Sequence, residues 1–273
     1  TVGAVIMAGV NPVYTLPNGK AFAKGLKKVK TSVSMSLFAD ETATNCKYVS
    51  SDLHPLESWA DAKPVMNHYS IAQPTIRPLH NTAAALESFL VWAGEETRGG
   101  KDSQVAHNFI QNNWDLNGFQ DAGQTKYSDF HTYWNMMVHN SCDNMMEVET
   151  SNPDFKSDSM SGLKFAKASG VEVVMYQKSA MGVGTYANNP WLQEMPDPMT
   201  KATWDNYFTM NPVTMLKDGY ATTFDQEHGL NMATVKVNGK RVTLPVFPLP
   251  GQAIGTVGVA LGYGRGGNGE KIG

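Results

Sequence analysis

Val2-Gly3-Ala4-Val5-Ile6-Met7-Ala8-Gly9-Val10-Asn11-Pro12 is an apolar run that stops at a glycine and an Asn-Pro turn. Aliphatic and β-branched residues follow one another without a charge, which reads as a buried strand. Pro17-Asn18-Gly19 marks a second turn. Ala21–Lys28 then places Phe22, Leu26 and the adjoining Val29 at helical spacing and closes in lysines, which suit a helix C-terminus. Thr31–Leu37 alternates Val33, Met35 and Leu37 with hydroxyl residues at a period of two. Strand, loop, helix and strand in this order predict a βαβ unit and a parallel sheet.

Working outward, Asp40-Glu41-Thr42-Ala43 reads as a short acidic helix start and Lys47-Tyr48-Val49 as a third short strand. Residues 50–80 are rich in proline and histidine and read as a long irregular loop. Thr82–Ala93 predicts a helix with an apolar face of Leu86, Phe89, Leu90 and Trp92. Ser103–Asn113 and Ser128–His139 predict two more, the last capped by Ser128. Residues 140–162 are polar and read as an exposed loop or linker. Beyond about residue 165 the pattern turns β-rich. Val171–Tyr176 and Thr256–Leu261 read as strands, and Val235–Pro245 as a hairpin turning at Asn238-Gly239. An α/β domain over 1–165 and a β-rich barrel or sandwich over 166–273 follow from this partition.

Of the 273 residues, 17% are charged and 41% hydrophobic, against roughly 25% charged in an average soluble domain. A sizeable core is possible and wholesale disorder is not. The net charge of −3 provides no broad cationic surface, which excludes nucleic acid as a partner. The low charge fits either a neutral, loop-rich globule or a surface covered by neighbouring chains. The 15 methionines and the 27 Trp, Tyr and Phe residues (6, 10 and 11) are of the types enriched at interfaces. Cys46 and Cys142 are too few for a four-cysteine zinc site or an iron–sulfur cluster, and nothing in their spacing argues for a disulfide. No apolar stretch approaches the about 20 residues of a membrane span, and the first residues lack the basic region of a signal peptide. A chain that opens on a buried strand is expected to be a portion of something longer.

Gly9–Tyr14 follows the first strand, the place where open α/β sheets bind ligands. It is either a loop whose backbone approaches a phosphate or a plain turn into a helix. No Gly-x-Gly-x-x-Gly or Walker pattern supports a nucleotide. The seven histidines form no two-His helical metal pair, and His131 and His139 are eight residues apart. His54 and Glu57 are either an acid/base pair or the hydrogen-bonded frame of their own loop. Asn189–Pro198 concentrates proline and aromatic residues and reads as an ordered crossover or partner-binding loop. Gly262-Tyr263-Gly264-Arg265 is either an anion cradle or a glycine-rich turn. No Ser/His/Asp or Cys/His set can be assembled.

In chain order, Gly9–Pro17, Asp40–Ala43 and His54–Trp59 with Asp61 resemble segments of the molybdopterin oxidoreductase superfamily. Asn67–Ile76, Asn188–Pro198 with Trp204–Tyr207, and Pro250–Ala253 through Arg265 are similar to one branch. That branch is the large iron–sulfur, molybdopterin-like subunit of bacterial alternative complex III, a quinol-oxidising respiratory assembly. The likeness runs over most of the chain and is weakest over 140–165. It implies an α/β domain followed by a double-psi β-barrel, with the metal-ligating residue and any cysteine cluster upstream.

The branch is understood to have lost the molybdenum cofactor, so the resemblance implies no catalytic residue, metal or cofactor in this segment. Gly9, Asn11, Pro12, Gly262 and Arg265 would then line a vestigial pterin cleft. Iron–sulfur clusters and haem c would reside elsewhere in the complex. The implied partners are the iron–sulfur portion, a multihaem cytochrome c and quinol-binding membrane subunits. The implied place is the periplasmic side of the inner membrane, held there through partners. The alternative is the C-terminal half of an active molybdopterin oxidoreductase of the polysulfide or thiosulfate reductase type, in which the Gly9–Pro12 and Gly262–Arg265 loops contact the pterin. A free-standing soluble binding protein is a third reading.

Overall fold

The opening apolar run forms β1 (Ala4–Ala8), which pairs in parallel with β2 (Thr31–Ser36), and β2 pairs in parallel with β3 (Tyr48–Ser51). The computed structural model describes residues 2–65, 68–120, 123–144, 154–164, 170–225 and 229–266. Two helices link the first strands: α1 (Pro12–Thr15), with proline at its first position where the missing N–H costs nothing, and α2 (Gly19–Leu26). This is the βαβ arrangement expected from the strand–helix–strand pattern. The burial expected of β1 is corrected, since within β1 only Met7 is buried and Ile6 lies half exposed. β1 is an edge strand, with β2 on one side. The central β2 is covered on both faces, and Ser32, Ser34 and Met35 are all buried. Ser32 is paired there, its Oγ accepting from the Lys47 amide at 2.9 Å.

Residues 50–80 are not an irregular loop throughout. β4 (Ala60–Val65) and β5 (His68–Ala72) pair antiparallel, and β5 pairs again with β6 (Cys142–Asn144). Pro64 hid the strand from a composition reading, yet a proline is tolerated in an edge strand such as β4. Three helices accompany this sheet: α3 (Ala85–Ala93), α4 (Val105–Trp114) and α5 (Phe130–Asn140). Ile71 of β5, Ile110 and Trp114 of α4, and Tyr133, Trp134 and Met137 of α5 form one buried cluster. Its rings meet edge-on or tilted, Trp114 against Trp134 at 6.1 Å and against Tyr133 at 6.3 Å. Such pairs add about 0.5–1.5 kcal/mol each beyond their area. Trp114 Nε1 donates to Asp61 at 3.0 Å, which satisfies the indole inside the cluster.

Two helix expectations need correction. The apolar residues of α3 do not all face inward. Glu87 and Ser88 are buried while Phe89 and Trp92 are exposed, their rings edge-to-face at 5.7 Å. The inward carboxylate is tolerated because Glu87 Oε1 accepts from the Gly99 amide at 3.1 Å. The cap of α5 is Asp129, not Ser128: Asp129 accepts from the Thr132 amide, and Ser128 donates to Asp129.

The chain divides into two compact units, Thr1–Phe155 and Lys156–Gly273. Of the polar stretch 140–162, residues 142–144 pair as β6, 145–153 lie outside the described residues, and 154–162 are exposed. The second unit holds β7 (Glu172–Tyr176), α6 (Pro190–Glu194), β8 (Phe208–Met210), α7 (Pro212–Lys217), β9 (Met232–Val237), β10 (Lys240–Pro248) and β11 (Thr256–Ala260). Its five strands form a mixed sheet in the order β7-β11-β8-β10-β9. β9 and β10 are the expected hairpin, and Asn238 (φ 48°) and Gly239 (φ 77°) occupy the left-handed region as a two-residue type I′ turn requires. Phe208, Met210, Met215, Val246 and Val257 form the core of this unit. Among the described residues no helix is long and apolar enough to cross a membrane.

Candidate functional site

In a parallel sheet the loops leaving adjacent strands emerge at the same edge, so the loop after β1 must meet the loop after β2. Asn11 of the first and Thr42 of the second do so. Thr42 Oγ1 donates to Asn11 Oδ1 at 2.7 Å, the Thr42 amide donates to the same oxygen at 3.2 Å, and Asn11 Nδ2 donates to Glu41 Oε2 at 2.6 Å. Thr42 Oγ1 also accepts from the Val13 amide at 3.1 Å. Behind it, Asp40 Oδ1 accepts from the Thr42 and Ala43 amides at 3.0 and 2.7 Å, and Ser36 Oγ donates to Asp40 Oδ2 at 3.2 Å. Thr42 is fully buried. Gly9 turns at φ 64° and its amide donates to Met35 O at 3.0 Å. Pro12 opens α1. Both ends of the Asn11 side chain are therefore engaged within the chain itself.

Gly262 and Arg265 lie in the second unit. Arg265 is buried, and its Nη1 donates to the carbonyls of Gly184 and Thr185 at 2.6 and 3.1 Å. Gly262, at φ 93°, lies against the Met181–Gly184 backbone: a Cβ there would come within 2.9 Å of the Gly184 nitrogen. This guanidinium clamps a turn. One nitrogen of the guanidinium, Nη1, thus meets two protein carbonyls.

His54 and Glu57 frame their own loop. Glu57 Oε2 accepts from the His54 amide at 2.9 Å, His54 Nδ1 from the Leu56 amide at 3.1 Å, and Glu57 Oε1 from the Leu79 amide at 2.8 Å. The Leu79 and His54 amides hold the Glu57 carboxyl below its ordinary range, the wrong direction for a general acid near neutrality. Glu57 lines a cleft of about 260 Å³ with Trp59, Arg77, Glu87 and Lys101. A second cleft of about 350 Å³, beside the carboxyl end of β3, is lined by Ser50, Ser51, Glu87, Trp92 and Arg98. Among the described residues no three of His, Cys, Asp and Glu gather as a metal site; His228 lies outside them.

One polar group inside the second unit was not anticipated. Lys178 is buried, with Nζ 3.9 Å from the Tyr207 ring centre and 3.3 Å from the Tyr263 hydroxyl. Burial pushes its pKa down while Asp197 pulls it back up. Burial also raises Tyr176 and Tyr263 to about 12. A lone lysine after a strand carries no sequence signal of this kind. The Asn11–Thr42 bond was within reach, because a βαβ reading already places the Gly-Val-Asn-Pro and Asp-Glu-Thr-Ala segments at one sheet edge.

The fold is mixed α/β, with a three-stranded parallel sheet in the first unit and a five-stranded mixed sheet in the second. No family model matches the chain. It is 26% identical over 268 residues to the menaquinone reductase, molybdopterin-binding-like subunit of Nitratidesulfovibrio vulgaris, a match covering 96% of this chain and 36% of that protein. Acetylene hydratase from Pelobacter acetylenicus shares the fold, with a TM-score of 0.61 and 13% identity over 95% of this chain and 37% of that one. The chain thus spans little more than a third of the length of either relative.

Proposed function

We propose that this chain is a cofactor-free structural segment of a quinone-linked respiratory oxidoreductase, of the kind found in the large iron–sulfur subunit of alternative complex III. It acts as a scaffold beside iron–sulfur and haem c subunits that carry electrons from quinol, peripheral to the periplasmic face of the inner membrane. Likeness to a menaquinone reductase subunit that is itself described as molybdopterin-binding-like supports the respiratory setting. The observation that carries the cofactor-free reading is the closed strand-end knot: Asn11, Glu41 and Thr42 bond one another at the carboxyl ends of the strands, where open α/β sheets bind ligands. The turn-clamping role of Arg265 supports it independently. The five-stranded mixed sheet, with β8 and β10 parallel between antiparallel neighbours, supports a double-psi barrel-like second unit.

The test is elemental analysis and pterin assay of the native complex containing this chain. Molybdenum, tungsten and pterin are expected well below one per chain. Stoichiometric metal with pterin held by this chain would overturn the reading in favour of an active molybdopterin enzyme.

A further inference from the structure

Glu87 stands between two clefts and is bonded through one oxygen. It is 3% exposed, and it borders both the cleft of about 260 Å³ and the cleft of about 350 Å³. Oε1 accepts from the Gly99 amide at 3.1 Å. Oε2 has no hydrogen-bond partner among the described residues. It is not sealed away either: the occluded side-chain atoms that lack a partner there are Ser34 Oγ, Thr214 Oγ1 and Gln252 Oε1. The second carboxylate oxygen is therefore open to the cleft space that Glu87 borders. A carboxylate offers about four acceptor positions, and burying one against a single donor is costly. The open oxygen is a place for a donor from outside the chain.

The larger cleft supplies the rest of a site. It lies at the carboxyl end of β3, which closes at Ser51, and open α/β sheets bind ligands beyond their strand ends. Its volume of about 350 Å³ is in the range of small-molecule pockets. Arg98 borders it and is anchored through Nη2 to Asn81 O at 3.0 Å. Its Nε and Nη1 have no hydrogen-bond partner among the described residues. The bond from the Gly99 amide fixes the residue next to Arg98 against the Glu87 carboxylate. Val91 and Trp92 of α3 give the same cleft an apolar wall. One open acceptor, one open cationic fork and an apolar wall thus share one cavity.

The geometry points to an amino-acid site in this cleft. It takes a small zwitterion whose ammonium meets Glu87 Oε2, whose carboxylate meets Arg98 and whose apolar side chain lies against Val91 and Trp92. The two charges select this class. A simple organic cation would be set against Arg98, and a simple anion against Glu87. Arginine receives a carboxylate with its planar fork, and hydrogen bonds between charged groups are the strong ones. The site goes beyond the scaffold role, and neither depends on the other.

Isothermal titration calorimetry on the full-length protein tests this with three probes of one carbon skeleton. L-Leucine should bind saturably. Isocaproate, which lacks the amine, and isoamylamine, which lacks the carboxylate, should each bind about tenfold or more weakly. Glu87→Gln keeps the shape and the acceptor for the Gly99 amide while removing the charge, and Arg98→Gln removes the opposite one. Each should weaken leucine binding by about tenfold or more, with circular dichroism unchanged. Lys101→Gln, in the smaller cleft, should leave it unaltered. Absence of saturable leucine binding, or full affinity in Glu87→Gln, would overturn the proposal. Either analogue binding as tightly as leucine would do the same, since one charge would then suffice. Loss confined to Lys101→Gln would move the ligand to the smaller cleft and reject the assignment. Where a variant misfolds, the comparison of leucine with its two analogues on the unaltered protein decides.

Discussion

Thr42 Oγ1 donates to Asn11 Oδ1 at 2.7 Å across 31 residues of sequence, and this bond ties the loop after β1 to the loop after β2. The Thr42 hydroxyl is inaccessible to water and also accepts from the Val13 amide, so it is a linker with both functions used. Asn11→Ala removes three side-chain bonds, two to Thr42 and one to Glu41. The Thr42 amide keeps Asp40 as a partner, which limits the damage. The expected loss is about 1–3 kcal/mol, measured as a lower urea midpoint at unchanged slope. Thr42→Val, of similar volume, should cost about 1–2 kcal/mol by orphaning the Val13 amide. A neutral Thr42→Val variant would show that the knot does not hold the sheet edge.

The buried Arg265 ties the Gly184–Thr185 turn into the second unit. Arg265→Ala leaves the Gly184 and Thr185 carbonyls without this donor and should cost about 1.5–3 kcal/mol, the range for hydrogen bonds to charged groups. Thermal unfolding of the two variants Arg265→Ala and Arg265→Lys gives the check. Lysine should recover only part of the loss, because its compact, strongly hydrated ammonium costs more to bury than the weakly hydrated guanidinium. Inorganic phosphate should raise the wild-type and Arg265→Ala midpoints equally, by its general exclusion from protein surface; a marked rise confined to the wild type would mean that the guanidinium binds an anion.

Much of this architecture was legible in the chain because local rules carried it. Val2–Ala8, Ala21–Lys28 and Thr31–Leu37 announced a parallel βαβ unit, and Asn238-Gly239 announced its hairpin through two residues that tolerate positive φ. What escaped was set by partners distant in sequence. β4 and β5 carry Pro64 and His68 and read as loop, and β5 is stabilised by pairing with β6 about seventy residues later. The inward turn of Glu87 depends on the Gly99 amide, which no periodicity in α3 reveals. At the strand ends the sequence located the loops but not their closure upon each other. For Arg265, a glycine-rich context suggested an anion, whereas the carbonyls it meets belong to a turn eighty residues earlier.

The hairpin offers a local test. Gly239 sits at φ 77°, where a side chain is strained, and a Cβ there would meet open space. Gly239→Ala should therefore destabilise through backbone strain alone, by about 1–2 kcal/mol. Gly25→Ala is the counterpart: that glycine lies inside α2, has open space around a Cβ and does not have positive φ. It should gain about 0.5–1 kcal/mol. Opposite signs from two sterically free glycine sites, read by urea unfolding, would isolate φ as the cause; equal signs would reject it.

Lys178 and its tyrosines predict opposing pH effects in the second unit. Burial lowers the folded-state pKa of Lys178 below 10.5. The unfolded chain then binds more protons between the lowered value and 10.5, so stability rises with pH across that window as the buried charge is relieved. Tyr176 and Tyr263 are raised from 10.0 to about 12. There the folded state holds its protons while the unfolded state releases them, so stability falls as pH climbs from 10.0 towards 12. Lys178→Met retains the stem and removes the charge, and it should be neutral or stabilising at pH 7, since burying an ammonium is costly. That advantage should shrink as pH approaches 10.5, because the wild-type amine is then neutral too. Urea midpoints of both proteins from pH 7 to 11, with tyrosinate absorbance followed in parallel, provide the measurement. A Lys178→Met deficit that stays constant across this range would assign Lys178 a packing or hydrogen-bonding role in place of a charge penalty.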